Sequence, residues 1–104
     1  MAVQNLELLD FLKKTPLSKA FMEEAKQVMP GGVTANIKSF APYPIVMKGG
    51  KGAYLTDIDG NRYIDYLLSY GALMLGHGHP AILQAVRQQL EKDGTSLFGT
   101  PHRL

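Results

Sequence analysis

The chain has 104 residues, of which 45% are hydrophobic and 19% are charged, and its formal net charge is +2. That balance excludes a disordered segment and a membrane-spanning composition, and the interspersed charges predict neither a nucleic-acid partner nor a membrane partner. No cysteine is present, so neither a disulfide framework nor a thiolate metal site is expected, and a cytoplasmic location fits.

The first residues predict a short helical segment. Leu6, Leu9 and Phe11 recur at near-helical spacing, which gives an amphipathic turn or two ending at Lys14. We interpret residues 1–14 as an N-terminal appendage to the segment that follows.

A second helix is predicted from Pro16, because Thr15 is a suitable N-cap and proline is favoured at the first helical position. Residues 30–32, Pro-Gly-Gly, end it. Its predicted apolar face, at spacings of four, four and three, consists of Leu17, Phe21, Ala25 and Val28. The prolines of residues 33–44 then favour an extended loop.

Aromatic and branched residues predict three short strands, at 44–48, 53–56 and 62–66. Glycines at 49–52 are typical of a turn between the first two. Asp57-Ile58-Asp59-Gly60-Asn61 is typical of a tight hairpin in which Gly60 takes a positive φ. The prediction is a three-stranded antiparallel meander.

The last predicted element is a helix from Pro80 to about Lys92, ended by Asp93-Gly94. Its apolar face consists of Ile82, Leu83, Val86 and Leu90. Residues 95–104 show no periodicity. Helices at both ends of a small meander make the chain an α+β segment.

Two metal sites can be weighed from spacing. Asp57, Asp59 and Asn61 match the alternating ligands of a calcium loop, but Arg62 stands where that loop needs glycine. His77 and His79 are two residues apart and are candidate ligands of a zinc-binding domain. A structural role for the histidines, at the start of the last helix, is favoured, and no metal ligand is assigned.

Three motifs together resemble one enzyme family. Residues 52–80 read GAYLTDIDGNRYIDYLLSYGALMLGHGHP, residues 30–33 read PGGV, and residues 94–101 read GTSLFGTP. This pattern resembles the opening segment of class III (subgroup II) pyridoxal-phosphate aminotransferases, nearest the glutamate-1-semialdehyde aminomutase branch. The resemblance covers roughly residues 18–102.

The resemblance implies an intact enzyme of fold type I, with a large α/β domain, a smaller domain that includes this meander, and a homodimer with active sites at the interface. It implies transamination of an amino acid or amine, or an aminomutase reaction, with pyridoxal phosphate as cofactor and a small-molecule amino donor. Residues 15–104 would be an N-terminal segment that precedes the cofactor-binding domain. No catalytic or cofactor-binding residue is expected in it, and alone it is expected to be inactive.

The resemblance also implies site residues. Ser69-Tyr70-Gly71 matches the segment where family members place an aromatic side chain against the substrate, so Tyr70 and Ser69 are predicted pocket residues. Lys38 stands where the aminomutase branch has a carboxylate-binding arginine, and it offers a point charge in place of a bidentate fork. Residues 96–101 resemble a loop that faces the active site.

Other interpretations of these residues stay open. Tyr70 is equally compatible with a buried tyrosine at the end of a strand, and Lys38 with an ordinary solvated lysine. The whole chain is also compatible with a non-catalytic binding or interaction module. Leu67, Leu68 and residues 73–75 form an apolar run that is expected to drive association if it is exposed.

Overall fold

The structure, a computed structural model, describes residues 2–95, with side chains from Leu6 onward. Its helices are α1 (Ala2–Lys14), α2 (Pro16–Val28) and α3 (Pro80–Asp93), and its strands are β1 (Met47–Lys51), β2 (Tyr54–Asp57) and β3 (Arg62–Ile64). Two short 3-10 turns lie at Pro30–Gly32 and Asn36–Lys38. The predicted α+β arrangement of helices around a three-stranded antiparallel meander is confirmed.

The described residues form two compact units. The first contains the chain up to Gly49 together with Tyr54–Asp65, and the second contains Gly50–Ala53 together with the chain from Tyr66 onward. The residues of the GTSLFGTP motif after Thr95, including the predicted loop 96–101, lie outside the described residues.

In the first unit, α1 is a full helix of 13 residues, longer than the turn or two predicted. Two contacts hold the C-terminal end of this helix. The Phe11 ring lies 5.1 Å from the Tyr43 ring between centroids, and the Thr15 hydroxyl donates to the Phe11 carbonyl at 2.7 Å. The boundary between an appendage and the segment after residue 14 stays a prediction.

Helix α2 begins and ends where the sequence predicts, but its buried face is different. The buried residues are Ser18, Met22 and Ala25, while three of the four predicted core residues are exposed: Leu17, Phe21 and Val28. The reason is the Pro-Gly-Gly turn, which folds back onto α2 so closely that a Cβ on Gly32 would lie 2.9 Å from the Met22 Cε. The turn therefore covers the Met22 side of the helix.

The sheet has the order β1-β2-β3, and the predicted hairpin between β2 and β3 is confirmed. Tyr54 lies opposite Ile64, and the Asp57 amide donates to the Asn61 carbonyl at 3.1 Å across the turn. The turn predicted at 49–52 is wrong in part, since Met47–Lys51 is paired as a strand.

In the second unit, Gly52 and His77 pair through two backbone hydrogen bonds of 2.8 Å. A Cβ on Gly76 would lie 2.8 Å from the Gly52 oxygen, so glycine is required at this approach. Helix α3 follows, and Gly94 ends it in the left-handed conformation with its amide donating to the Leu90 carbonyl, as predicted. No helix among residues 2–95 combines the length and the apolar character needed to cross a bilayer.

Candidate functional site

The segment that carries the predicted pocket residues is a turn in the left-handed conformation. Leu68, Ser69 and Tyr70 have φ values of 46°, 55° and 57°, and Gly71 follows at 85°. The Gly71 amide donates to the carbonyls of Leu67 and Leu68 at 3.1 Å each. The Leu73 amide donates to the Leu68 carbonyl at 3.0 Å, which closes one left-handed turn. We call residues 67–71 the left-handed turn.

The left-handed turn is close to energetic balance. Each non-glycine residue in this conformation costs roughly 1–2 kcal/mol, so the three cost about 3–6 kcal/mol together. The backbone hydrogen bonds offset this, and a fourth one joins the Ala72 amide to the Ser69 carbonyl at 3.3 Å. Three amide donors make these bonds, because the Gly71 amide is shared between two carbonyls, so at about 0.5–1.5 kcal/mol per donor they contribute roughly 1.5–4.5 kcal/mol. Strained backbone of this kind concentrates at functional sites, and it persists only where its surroundings hold it.

Tyr70 stands on this turn with 70% of its surface exposed. Strand β3 ends at Ile64, so the alternative of a buried tyrosine at the end of a strand is wrong. Ser69 is exposed beside it, whereas Leu68 is half-buried. The turn thus directs an aromatic ring and a hydroxyl toward solvent. No local signal in the sequence predicts left-handed Leu, Ser and Tyr in a row.

Lys38 belongs to the first unit, at the end of the short Asn36–Lys38 turn. Its Nζ donates to the Thr34 Oγ1 at 2.9 Å, and its side chain is exposed. That hydrogen bond draws the ammonium back over its own loop. The arrangement leaves the other ammonium protons available to an anion.

Sequence reasoning missed a polar network at the hairpin turn. Asp59 accepts hydrogen bonds from the amides of Leu17 (2.6 Å) and Ser18 (3.0 Å) and from the Ser18 hydroxyl (2.8 Å). Asp59 therefore caps the start of α2 from 41 residues away, while Thr15, the predicted cap, makes no side-chain capping bond. The signal in the sequence that could have indicated this cap is Asp59 itself, because a tight turn does not need the second aspartate of the motif.

The other two polar residues of the motif, Asp57 and Asn61, are hydrogen-bonded to each other. The buried Asp57 carboxylate accepts from the Asn61 amide (2.7 Å), the Asn61 Nδ2 (2.8 Å) and the Tyr63 hydroxyl (2.8 Å). The Asn61 Nδ2 also donates to the Lys14 carbonyl at 2.7 Å. The Asp57 oxygens therefore hold the hairpin together from within, and the Asn61 side chain joins the hairpin to the end of α1.

This network shifts two pKa values. Burial raises the pKa of the Asp57 carboxyl, but the hydrogen bonds from Asn61, Tyr63 and Gly60 outweigh it, and the pKa lies below its usual value. Burial, together with the hydrogen bond to Asp57 and its negative charge, raises the pKa of the Tyr63 hydroxyl to about 12. The pair is therefore a carboxylate and a neutral phenol across the neutral pH range.

The described residues do not fit the covalent site of a pyridoxal cofactor. Such a site needs a lysine that burial or neighbouring charge keeps reactive, a carboxylate for the ring nitrogen and a phosphate cradle. All eight lysines of the chain fall within residues 2–95, and every one of their side chains is exposed. No step of a cofactor reaction is assigned to them.

The two histidines before α3 are placed by the loop. His77 pairs with Gly52 through its backbone, and His79 is at the N-cap position of α3 without a side-chain capping bond. The His79 Nδ1 is buried without a hydrogen-bond partner. Within residues 2–95, no three His, Asp or Glu side chains are grouped to hold a metal ion.

Comparison with known proteins places these features in a family. The family described as aminotransferase class III matches residues 36–103. Glutamate-1-semialdehyde 2,1-aminomutase 2 of Listeria monocytogenes serotype 4a (strain HCC23) is 55% identical over 86 residues, which are 80% of this chain and 19% of that protein. The family match includes both Lys38 and the left-handed turn.

Solved structures share the fold. A β-phenylalanine aminotransferase from Variovorax paradoxus has a TM-score of 0.78 at 33% identity, over 91% of this chain and 21% of that one. A transaminase with PLP bound has a TM-score of 0.73 at 35% identity, over 85% and 20%. The chain spans about a fifth of the length of these relatives. With well over half of its residues matched, the chain belongs to the class III aminotransferase family.

Proposed function

We propose that this chain is part of a pyridoxal-phosphate-dependent enzyme that moves an amino group, either an aminotransferase or a glutamate-1-semialdehyde aminomutase. The single observation that carries the chain's own role is Tyr70, an exposed aromatic ring held outward by the left-handed turn. By sequence resemblance, Ser69-Tyr70-Gly71 on this turn matches the segment in which class III members place an aromatic side chain against the substrate, which supports the proposal. Family membership and the PLP-bound relative support the cofactor.

Each proposed pocket residue has a distinct task. The Tyr70 ring offers a flat apolar face against the carbon skeleton of the substrate, and its hydroxyl is a hydrogen-bonding group at the edge of that ring. The exposed Ser69 hydroxyl is a second hydrogen-bonding group on the same turn. Lys38 offers one positive charge to a substrate carboxylate. A bound pyridoxal phosphate supplies the electron sink for the chemistry. In this proposal the described residues orient the substrate, and none of their lysines is bonded to the cofactor.

Turnover by the holoenzyme tests the reaction. Glutamate 1-semialdehyde is offered without an added amino acceptor, and β-phenylalanine is offered with a keto-acid acceptor. Catalytic conversion of the first to an isomer indicates an aminomutase, since no external amino donor or acceptor is then consumed. Conversion of the second indicates an aminotransferase. A loaded enzyme whose cofactor absorbance changes with neither compound nor with a panel of other amines contradicts the proposal.

The location of the cofactor lysine is a second arm of the same test. Borohydride reduction of the holoenzyme followed by peptide mapping identifies the lysine joined to the cofactor. The proposal expects that none of the eight lysines of this chain carries the label. Stoichiometric labelling of one of them, such as Lys38, would overturn the assignment of these residues to substrate orientation.

A homodimer and a cytoplasmic location are part of the same proposal. The apolar residues of α3, Ile82, Leu83, Val86 and Leu90, are between 39% and 51% exposed, which supports their burial against further protein. Light scattering of the purified enzyme measures the subunit number, and cell fractionation measures the location. A monomeric enzyme, or one found in the membrane pellet, contradicts these two expectations.

A further inference from the structure

We propose that Leu68 is a positioning residue that sets the direction of the Tyr70 ring and, through it, the affinity of the pocket for its substrate. This inference rests on the proposed function, because it takes Tyr70 as the substrate contact. Leu68 itself is not proposed to touch the substrate.

The structure connects Leu68 to Tyr70 through the backbone. Leu68 is the first of the three left-handed residues, with φ 46°. Its carbonyl accepts from the amides of both Gly71 and Leu73, so two of the hydrogen bonds that close the turn end on this residue. A rotation at Leu68 would break both bonds and would redirect the residues that follow.

The side chains along the turn divide by exposure. Leu68 is half-buried, whereas Ser69 and Tyr70 are exposed. Leu68 is therefore the one of the three left-handed residues whose side chain is anchored in the protein. Because leucine disfavours a positive φ and the turn's own hydrogen bonds roughly offset the strain, the anchored side chain decides how fully the turn is populated. Shortening it frees Tyr70 to point elsewhere.

A double-mutant cycle in the holoenzyme tests this, with whichever of glutamate 1-semialdehyde and β-phenylalanine is converted. We expect Leu68→Ala to raise KM roughly fivefold with kcat within about twofold, since it removes the anchor without relieving the strain of a positive φ, and a freed ring weakens binding and leaves the chemistry intact. We expect Tyr70→Ala to raise KM roughly tenfold. The double variant should show the KM of Tyr70→Ala alone, because Leu68 acts only through the ring.

Three further variants make the result specific. Leu68→Met keeps a long apolar anchor and should restore KM to near the parent value. Ala53→Gly adds a glycine at an exposed turn position outside the left-handed turn and should leave KM unchanged. Leu68→Gly also removes the anchor but relieves the strain of the positive φ, so its KM should lie between those of the parent and of Leu68→Ala, and it replaces Leu68→Ala in the cycle if that variant does not fold.

The outcomes separate this inference from the proposed function. A raised KM for Tyr70→Ala with an unchanged KM for the Leu68 variants overturns the inference and leaves the proposed function in place. Multiplying effects in the double variant also overturn it, because Leu68 then acts independently of the ring. An unchanged KM for Tyr70→Ala refutes the proposed substrate contact, and the inference with it.

Discussion

Replacing Asp59 by alanine should loosen the start of helix α2, although the two are 41 residues apart in sequence. The Asp59 carboxylate accepts three hydrogen bonds there, from the amides of Leu17 and Ser18 and from the Ser18 hydroxyl. Loss of an N-cap side chain costs about 0.5–2 kcal/mol, and charge-assisted bonds lie toward the upper end. We therefore expect Asp59→Ala to cost about 2 kcal/mol.

Amide hydrogen exchange of the peptide that covers α2, measured by mass spectrometry in the holoenzyme, reports this loss locally. A cost of about 2 kcal/mol corresponds to roughly 30-fold faster exchange, since 1.4 kcal/mol is a factor of ten. Asp59→Asn keeps one acceptor oxygen without the charge and should give about a fivefold increase.

Glu23→Ala is the matched control on the same helix. Glu23 forms a surface ion pair with Lys26 at 2.9 Å, with its side chain 62% exposed, and such pairs contribute about 0–1 kcal/mol. Exchange in that variant should change no more than about twofold. If the α2 amides of Asp59→Ala exchange as slowly as those of the parent, the distant cap contributes nothing, and the role assigned to Asp59 is wrong.

Three other measurements follow from the same structure. Because burial and the hydrogen bond to Asp57 raise the pKa of Tyr63 to about 12 from 10.0, its contribution to the free energy of unfolding, on the order of 2 kcal/mol, is complete below pH 10 and is lost as the pH rises through about 12. Tyr63→Phe should remove this alkaline loss in urea unfolding, and an unchanged pH profile would count against it. Gly76→Ala should lower the melting temperature more than Gly60→Ala. Both glycines have a positive φ, but only a Cβ at position 76 would lie 2.8 Å from the Gly52 oxygen. Equal losses would contradict the close approach. Lys38→Ala should raise KM for a carboxylate-bearing substrate about three- to tenfold while Lys38→Arg retains it, and unchanged kinetics in both would return Lys38 to the solvated surface.

Local signals predicted the elements of this fold better than their packing. Pro16 and Gly94 marked helix ends correctly because proline and glycine act through their own backbone preferences. The prediction of which face of α2 is buried was wrong, because the Pro-Gly-Gly turn covers Met22. Helical periodicity alone carries no information about that contact. Tertiary structure decided which side of the helix faces inward.

The candidate site shows the same division. Family resemblance indicated Tyr70, but the positive φ of Leu68 and Ser69 follows from the hydrogen bonds of the whole turn, which no propensity of leucine or serine predicts. Asp59 was read as a turn residue because its partners at the start of α2 are distant in sequence. The first feature thus depends on several local hydrogen bonds acting together, and the second on a contact between distant segments.

The central claim, that the left-handed turn brings Tyr70 against the substrate, is tested most directly by a crystal structure of the holoenzyme with an amino substrate bound. The account predicts the Tyr70 ring in van der Waals contact with the substrate, at about 4 Å between carbon atoms, with a positive φ retained at Leu68. A bound substrate with the Tyr70 ring more than about 8 Å away, twice a contact distance, would contradict it.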